Sequence, residues 1–171
     1  MDGFRVASVL LVHEAVDQGL ASIAAEFAAR GLRVAGFLQT RLAEGGMVVR
    51  DLAGGGIYRV TQDLGPGSQG CRLDPGGLAE ASGAALAALD GGADLLLIPR
   101  FGKAEAEGHG FRTVIERACE AQIPALVAVR PAFEVAWDAF AGGLAEKLAP
   151  DPQVMLAWCR AEAARHLAGA S

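Results

Sequence analysis

"ADLLLIPRFGK", residues 93–103, is the stretch whose reading decides the fold. Leu95, Leu96, Leu97 and Ile98 form an apolar run without polar alternation, the pattern of a strand covered on both faces. Such strands belong to parallel sheets, where crossover helices shield both sides. Immediately behind the run come Arg100, Gly102 and Lys103, and then "AEAEGHGFR" as far as Arg112.

Three more apolar runs repeat the pattern: Phe4–Val12, "LRVAGFLQT" (32–40) and "IPALVAV" (123–129). Between the first two, Asp17 is placed to cap a helix through Arg30. Leu20, Ile23, Ala24 and Phe27 fall on one face of it, and Gly31 closes it. "MVVRDL" and "GIYRV", joined by "AGGG", read as an antiparallel hairpin. Residues 61–77, "TQDLGPGSQGCRLDPGG", read as a long irregular loop. Helices are expected over Leu78–Leu89, Gly110–Ala121, from Pro131 onward, and over Pro152–Leu167. Strands alternating with helices indicate an α/β fold, with a mainly parallel sheet, an antiparallel hairpin and helices on both faces. Residues 1–171 show no internal repeat, linker or low-complexity tail and are expected to form one domain.

Composition narrows the function. Apolar residues make up 52% and charged residues 20%, as in compact folded chains. The net charge of −5 argues against general nucleic-acid binding. No apolar run approaches the length of a membrane span, and the N-terminal stretch lacks the basic start of a signal peptide. Cys71, Cys119 and Cys159 are odd in number and far apart, so neither a disulfide framework nor a zinc site is expected. A cytoplasmic protein without metal or cofactor is the simplest expectation.

In open α/β sheets ligands bind beyond the carboxyl ends of the strands. His13 and Glu14 follow the first core run, Arg41 the second, Arg100 and Lys103 the third, and Arg130 the fourth. Cations gathered at one edge suit phosphate or another oxyanion. The other reading is that strands leave a core through polar residues, and only the strand order decides whether these groups converge. In the loop, Gly65, Gly67 and Gly70 allow successive N–H groups to face one point, with Ser68 and Arg72 adding a hydroxyl and a guanidinium. The same glycines also serve simply to turn the chain, with Asp74 capping the next helix. Cys71 is either a reactive thiol or a packed one. Glu105, Glu107 and His109 are acid–base candidates, although acidic residues near a helix start are expected from its dipole alone. Gly102 gives Lys103 the freedom to point back over the crevice. No G-x-x-x-x-G-K-[ST], H-E-x-x-H or G-x-S-x-G occurs.

Taken in order, "RGLRVAGFLQTR", "LGPGSQGCRLDPGGLAEA", "ADLLLIPRFGKAEAEGHGFR", "IPALVAV" and "WDAFAGG" resemble the bacterial family called domain of unknown function 2478. Members of that family tend to be encoded beside molybdate-uptake genes. The family is in turn distantly similar to the thermophilic-type P-loop nucleoside triphosphatases, where a later strand ends in Asp-Glu-x-Gly-Lys-x-Glu. Here Pro99-Arg100-Phe101-Gly102-Lys103-Ala104-Glu105 stands in its place, so the Gly-Lys-x-Glu half persists and the acidic pair is gone. What the resemblance implies is a triphosphatase-like fold without the phosphate loop, in which Arg100 repels a divalent cation and attracts an anion.

Three functional readings follow. The first is a small-anion binding protein for an oxyanion such as molybdate, or for a phosphate-bearing ligand such as a nucleotide, with no catalytic residues. Its ligand-binding set is Arg100, Lys103, Arg72, Ser68, Gly70, Cys71, Arg41, His13 and Arg130. The second is a phosphohydrolase or phosphotransferase built around Lys103, Glu105 and His109. The third is an interaction module that pairs with another subunit, a homo-oligomer included, through Trp137 and Phe140; the rival reading of those aromatics is core packing.

Overall fold

The computed structural model describes residues 5–63 and 71–169; of Gln62, Asp63, Cys71 and Arg72 it describes the backbone. In chain order the elements are β1 (Val6–Leu10), α1 (Glu14–Ala29), β2 (Val34–Arg41), β3 (Met47–Asp51), β4 (Ile57–Asp63) and β5 (Cys71–Leu73). Then follow α2 (Pro75–Asp90), β6 (Leu95–Phe101), α3 (Lys103–Ala106), α4 (Arg112–Glu120) and β7 (Ala125–Val129). A 3₁₀ turn (Pro131–Phe133) leads into α5 (Glu134–Ala141), then β8 (Glu146–Leu148) and α6 (Pro152–Gly169).

The described strands form one eight-stranded sheet in the order β5-β4-β3-β2-β6-β7-β1-β8. β2, β6, β7, β1 and β8 pair in parallel, while β3, β4 and β5 continue the sheet as an antiparallel meander. The uninterrupted apolar runs lie in the middle, with every residue of β7 buried and every residue of β6 except Arg100. α1 and α6 cover one face; α2, α4 and α5 cover the other. Trp137 is 1% exposed and belongs to this second core, with Phe140 packed against it.

Two local irregularities shape the sheet. Gly36 ends the β2–β6 pairing opposite Leu97 and has φ +102. A Cβ on it would lie 1.9 Å from the Leu97 carbonyl oxygen, so only glycine lets β2 cross this close and then pair with β3. In β6, Ile98 pairs with Val127 and Phe101 with Val129, which inserts one extra residue at Pro99–Arg100. Proline, lacking an N–H, is tolerated in a central strand at such a bulge. The bulge explains why Ile98 and Phe101 join the same core although residues three apart should point to opposite faces. Phe101 then meets Trp137 edge-on at 5.2 Å and Phe140 at 5.9 Å, anchoring the end of the strand.

Several expectations need correction. α1 starts at Glu14 with His13 at its N-cap; Asp17 lies in the first turn, where its carboxylate accepts from Gln39 Nε2 at 3.1 Å. Residues 61–77 are not wholly irregular: Thr61–Asp63 completes β4, Cys71–Leu73 forms β5, and α2 begins at Pro75. The Asp74 cap is present, its Oδ1 accepting from Gly77 N at 3.0 Å. Arg100 and Arg41 lie inside strands rather than beyond them. The helix expected over Gly110–Ala121 is the shorter α4, preceded by α3, and Pro131 opens a 3₁₀ turn rather than α5 itself. β8 was not anticipated.

Candidate functional site

The bulge in β6 sets the site. It turns Arg100 toward the face covered by α2 and α4, where Arg100 lines a small cleft with Gln39, Thr61, Leu78, Lys103 and Phe111. One guanidinium nitrogen, Nη1, lies 3.4 Å from the Met47 sulfur on β3. β7, the neighbouring strand, ends in Val129, and Arg130 follows with its N–H donating to the Phe101 carbonyl at 3.0 Å. Gly102 sits between the two arginines. A Cβ built there would fall 3.4 Å from Arg130 Cδ and 3.5 Å from Arg100 Nε. Its φ of −141 lies outside the left-handed region, so what glycine supplies here is open space rather than a positive φ. Lys103, exposed, opens α3 directly after it.

Beneath these cations lies Glu105, 4% exposed. Oε1 accepts the Gly102 N–H at 2.8 Å and Oε2 the Phe111 N–H at 2.9 Å, so one carboxylate ties together the two ends of the segment 102–111. The approach depends on Gly110, whose φ is +64 and whose Cβ would collide with Oε2 at 1.8 Å. Burial pushes the Glu105 carboxyl above its ordinary range, while the two N–H bonds and the Arg100 charge pull it back down. With both oxygens held by the backbone, Glu105 braces the segment that carries Gly102 and Lys103. Glu107 and His109 are exposed on the outside of the same segment.

The structure therefore brings together Arg100, Lys103 and Arg130. It does not bring in Arg41, exposed at the tip of β2 five residues beyond the last β2–β6 rung, nor His13, exposed at the start of α1. Neither lines the cleft, and Arg130 borders it rather than lining it: its Cδ lies beside Gly102, while its guanidinium carbon sits 5.7 Å from the Phe133 ring centroid. The strand order accounts for this, because β2 leaves its pairing with β6 at Gly36 to follow β3. Ser68 and Gly70 lie outside the described residues. Cys71 and Arg72 pair with Asp63 and Gln62 through the backbone, and the next residue, Leu73, lines the cleft. Sequence reasoning missed Gln39 and Met47; the one available signal was a polar Gln39 near the end of an otherwise apolar strand. Among the described residues no three His, Cys, Asp or Glu side chains gather as a metal site would.

The profile of a family described as "Protein of unknown function (DUF2478)" matches residues 6–158. The chain belongs to the DUF2478 family. It is 36% identical to "Molybdenum import ATP-binding protein ModC 2" of Bradyrhizobium diazoefficiens, over 96% of this chain and 19% of that protein. The chain thus spans about a fifth of the length of the curated relative it matches. Among solved structures, THEP1 from the hyperthermophile Aquifex aeolicus superposes with a TM-score of 0.61 at 12% identity, covering 87% of this chain and 90% of that one. The DUF2478 chain has a P-loop nucleoside-triphosphatase-like α/β fold.

In that fold nucleotide phosphates rest on a glycine-rich loop between the first strand and the first helix, with a lysine and a magnesium ion. In this DUF2478 chain the link is Leu11-Val12-His13, three residues long, and the first turn of α1 carries Glu14 and Asp17. Two carboxylates already sit against the positive end of the helix and repel phosphate. The residues present at this position do not fit a magnesium triphosphate.

Proposed function

We propose that this DUF2478 chain binds a small oxyanion at the carboxyl edge of β6 and β7, through Arg100, Lys103 and Arg130, without hydrolysing nucleotide. The observation that carries the reading is the pair of arginine side chains flanking Gly102, a position with no side chain of its own, with Lys103 next in sequence. Guanidinium groups offer forked donors to tetrahedral oxyanions, and an ammonium adds a point charge. Among the described residues, no carboxylate ion pair is formed by Lys103 or Arg130, whereas Arg5, Arg59, Arg117, Lys147 and Arg160 each pair with one.

Size separates the candidate ligands. The cleft holds about 40 Å³, far below the roughly 300–1,000 Å³ of sites that bury drug-sized ligands. A tetrahedral oxyanion suits it better than a nucleotide. The relative's name, a molybdenum import ATP-binding protein, favours molybdate within that class and a role beside molybdenum uptake on the cytoplasmic side. Among the described residues, no helix is long and apolar enough to cross a membrane. Calorimetric titration with molybdate, tungstate, sulfate, phosphate and ATP tests the reading. The expected result is binding of at least one oxyanion, weakened in Arg130→Gln, with no ATP turnover; an absence of binding by every oxyanion would end it.

A further inference from the structure

We propose that Glu105 is the positioning residue of the oxyanion cleft, and that the cleft takes up a proton on Glu105 as an oxyanion enters. This rests on the oxyanion reading of the same site, and adds to it a dependence on protons.

The positioning half comes from geometry. Arg100 and Gly102 precede Glu105, and Phe111 follows it; the bonds from Gly102 N and Phe111 N to one carboxylate hold the segment as a closed ring. The ring presents Gly102 between the two arginines and Lys103 at the mouth, and Glu105 itself lines the cleft. Removing the carboxylate leaves two buried N–H groups without acceptors, and the segment carrying Lys103 loses its anchor.

The proton half comes from charge and lone pairs. The ring brings a buried carboxylate to the same cleft that an anion would occupy, and like charges in a poorly hydrated place cannot both persist cheaply. Each carboxyl oxygen has two lone pairs and spends one on a backbone N–H, so a proton can join without breaking either bond. The added O–H is also a new donor for the incoming anion. Among the described residues, the charged and titratable groups around Glu105 are Arg100 on β6, Lys103 on α3, Arg130 after β7, Arg112 on α4 and the exposed His109. Arg112 Nη1 donates to the Glu105 carbonyl at 3.3 Å, so it grips the backbone of Glu105. Histidine is the residue type that exchanges protons near neutral pH, so His109→Asn is the control for Glu105.

The sign follows. An anion raises the proton affinity of Glu105, so binding strengthens as pH falls between the values Glu105 has in the free and the filled cleft, by up to about tenfold per pH unit for one proton. The experiment is calorimetric titration with sulfate, and with molybdate where sulfate is not retained, between about pH 5 and 8. Each titration is run in two buffers of different ionisation heat. Sulfate stays doubly deprotonated there, so any proton consumed belongs to the protein. Wild type and His109→Asn are expected to consume a proton and bind more tightly at lower pH. Glu105→Gln is expected to bind more weakly, with a flat profile. Should Glu105→Gln not fold, carboxyl-carbon NMR of Glu105 in the wild type, with and without sulfate, gives the same answer through an upward shift of its titration. Binding without proton uptake, or uptake that survives in Glu105→Gln or vanishes in His109→Asn, overturns this inference and leaves the oxyanion site standing. No binding by either anion at any pH overturns the site itself.

Discussion

Substituting Gly36 with alanine strikes the point where the parallel sheet becomes antiparallel. Two penalties are expected together. Alanine at φ +102 carries backbone strain of about 1–3 kcal/mol. Its methyl would start 1.9 Å from the Leu97 carbonyl oxygen, so β2 and β6 must separate by more than an ångström. That movement disturbs the Gly36–Leu97 rung and the bond from Leu52 N to the Gly36 carbonyl, and overpacking of this kind adds about 1–3 kcal/mol. The total, about 2–6 kcal/mol, is a large part of the roughly 5–15 kcal/mol that holds an ordinary domain together. Gly31→Ala is the matched control: its φ is +73, but nothing lies within 4 Å of the added methyl. That variant should lose only about 1–2 kcal/mol. At roughly 2–4 °C per kcal/mol for a chain of this size, thermal unfolding followed by circular dichroism should fall on the order of 10 °C or more for Gly36→Ala and by a few degrees for Gly31→Ala. Equal shifts in the two variants would refute the close-approach argument, because strain alone would then account for both.

Other expectations concern the site and the buried groups. Arg130→Gln or Lys103→Gln should weaken oxyanion binding by about 10–100-fold, the worth of one charge-assisted hydrogen bond, while Arg41→Gln leaves it unchanged; competitive titration against molybdate checks this. Gly102→Val should abolish binding with little loss of stability, since its side chain enters the space between Arg100 and Arg130. Burial pushes the Cys159 thiol up to about 12, so in the native protein near neutral pH iodoacetamide should leave it unmodified in peptide mass mapping. Cys119, half-buried and raised by burial and by Glu120, should react slowly. The raised Glu105 carboxyl makes the folded chain bind its proton more tightly than the unfolded chain does. Its contribution to stability is therefore full below about pH 4.5 and is lost as pH rises through the raised value. Denaturant titrations of wild type and Glu105→Gln across that range should show the wild-type advantage shrinking with rising pH, and a constant gap would contradict it.

The parallel core was legible because Leu95–Ile98 and Ala125–Val129 are apolar on every residue, and that pattern has few other uses. β8 was invisible for the opposite reason: Glu146-Lys147-Leu148 carries no strand signal and forms because β1 offers it an edge. The bulge was also hidden, since Pro99–Arg100 reads as a strand end when the partner's register is unknown. Arg100 lies at the bulge near the end of β6 and Arg130 just after the neighbouring β7; the sequence could place each near a strand end but not side by side. Arg41 and His13 were included on the same rule and lie elsewhere, because β2 departs at Gly36 and His13 caps α1. Glu105 was underrated as one acid near a helix start. The spacing Gly102-x-x-Glu105, in which the acid reaches back to the N-cap N–H, was the signal that could have revealed its structural role.

The sheet is finished on each side by a strand of three residues, β5 and β8, and the outer one beside β1 shows solvent an exposed glutamate and lysine. A foreign strand laid along either margin would find only one or two backbone rungs to join, and at β8 it would meet charge first. The molecule is thereby guarded against chain-to-chain growth of its sheet.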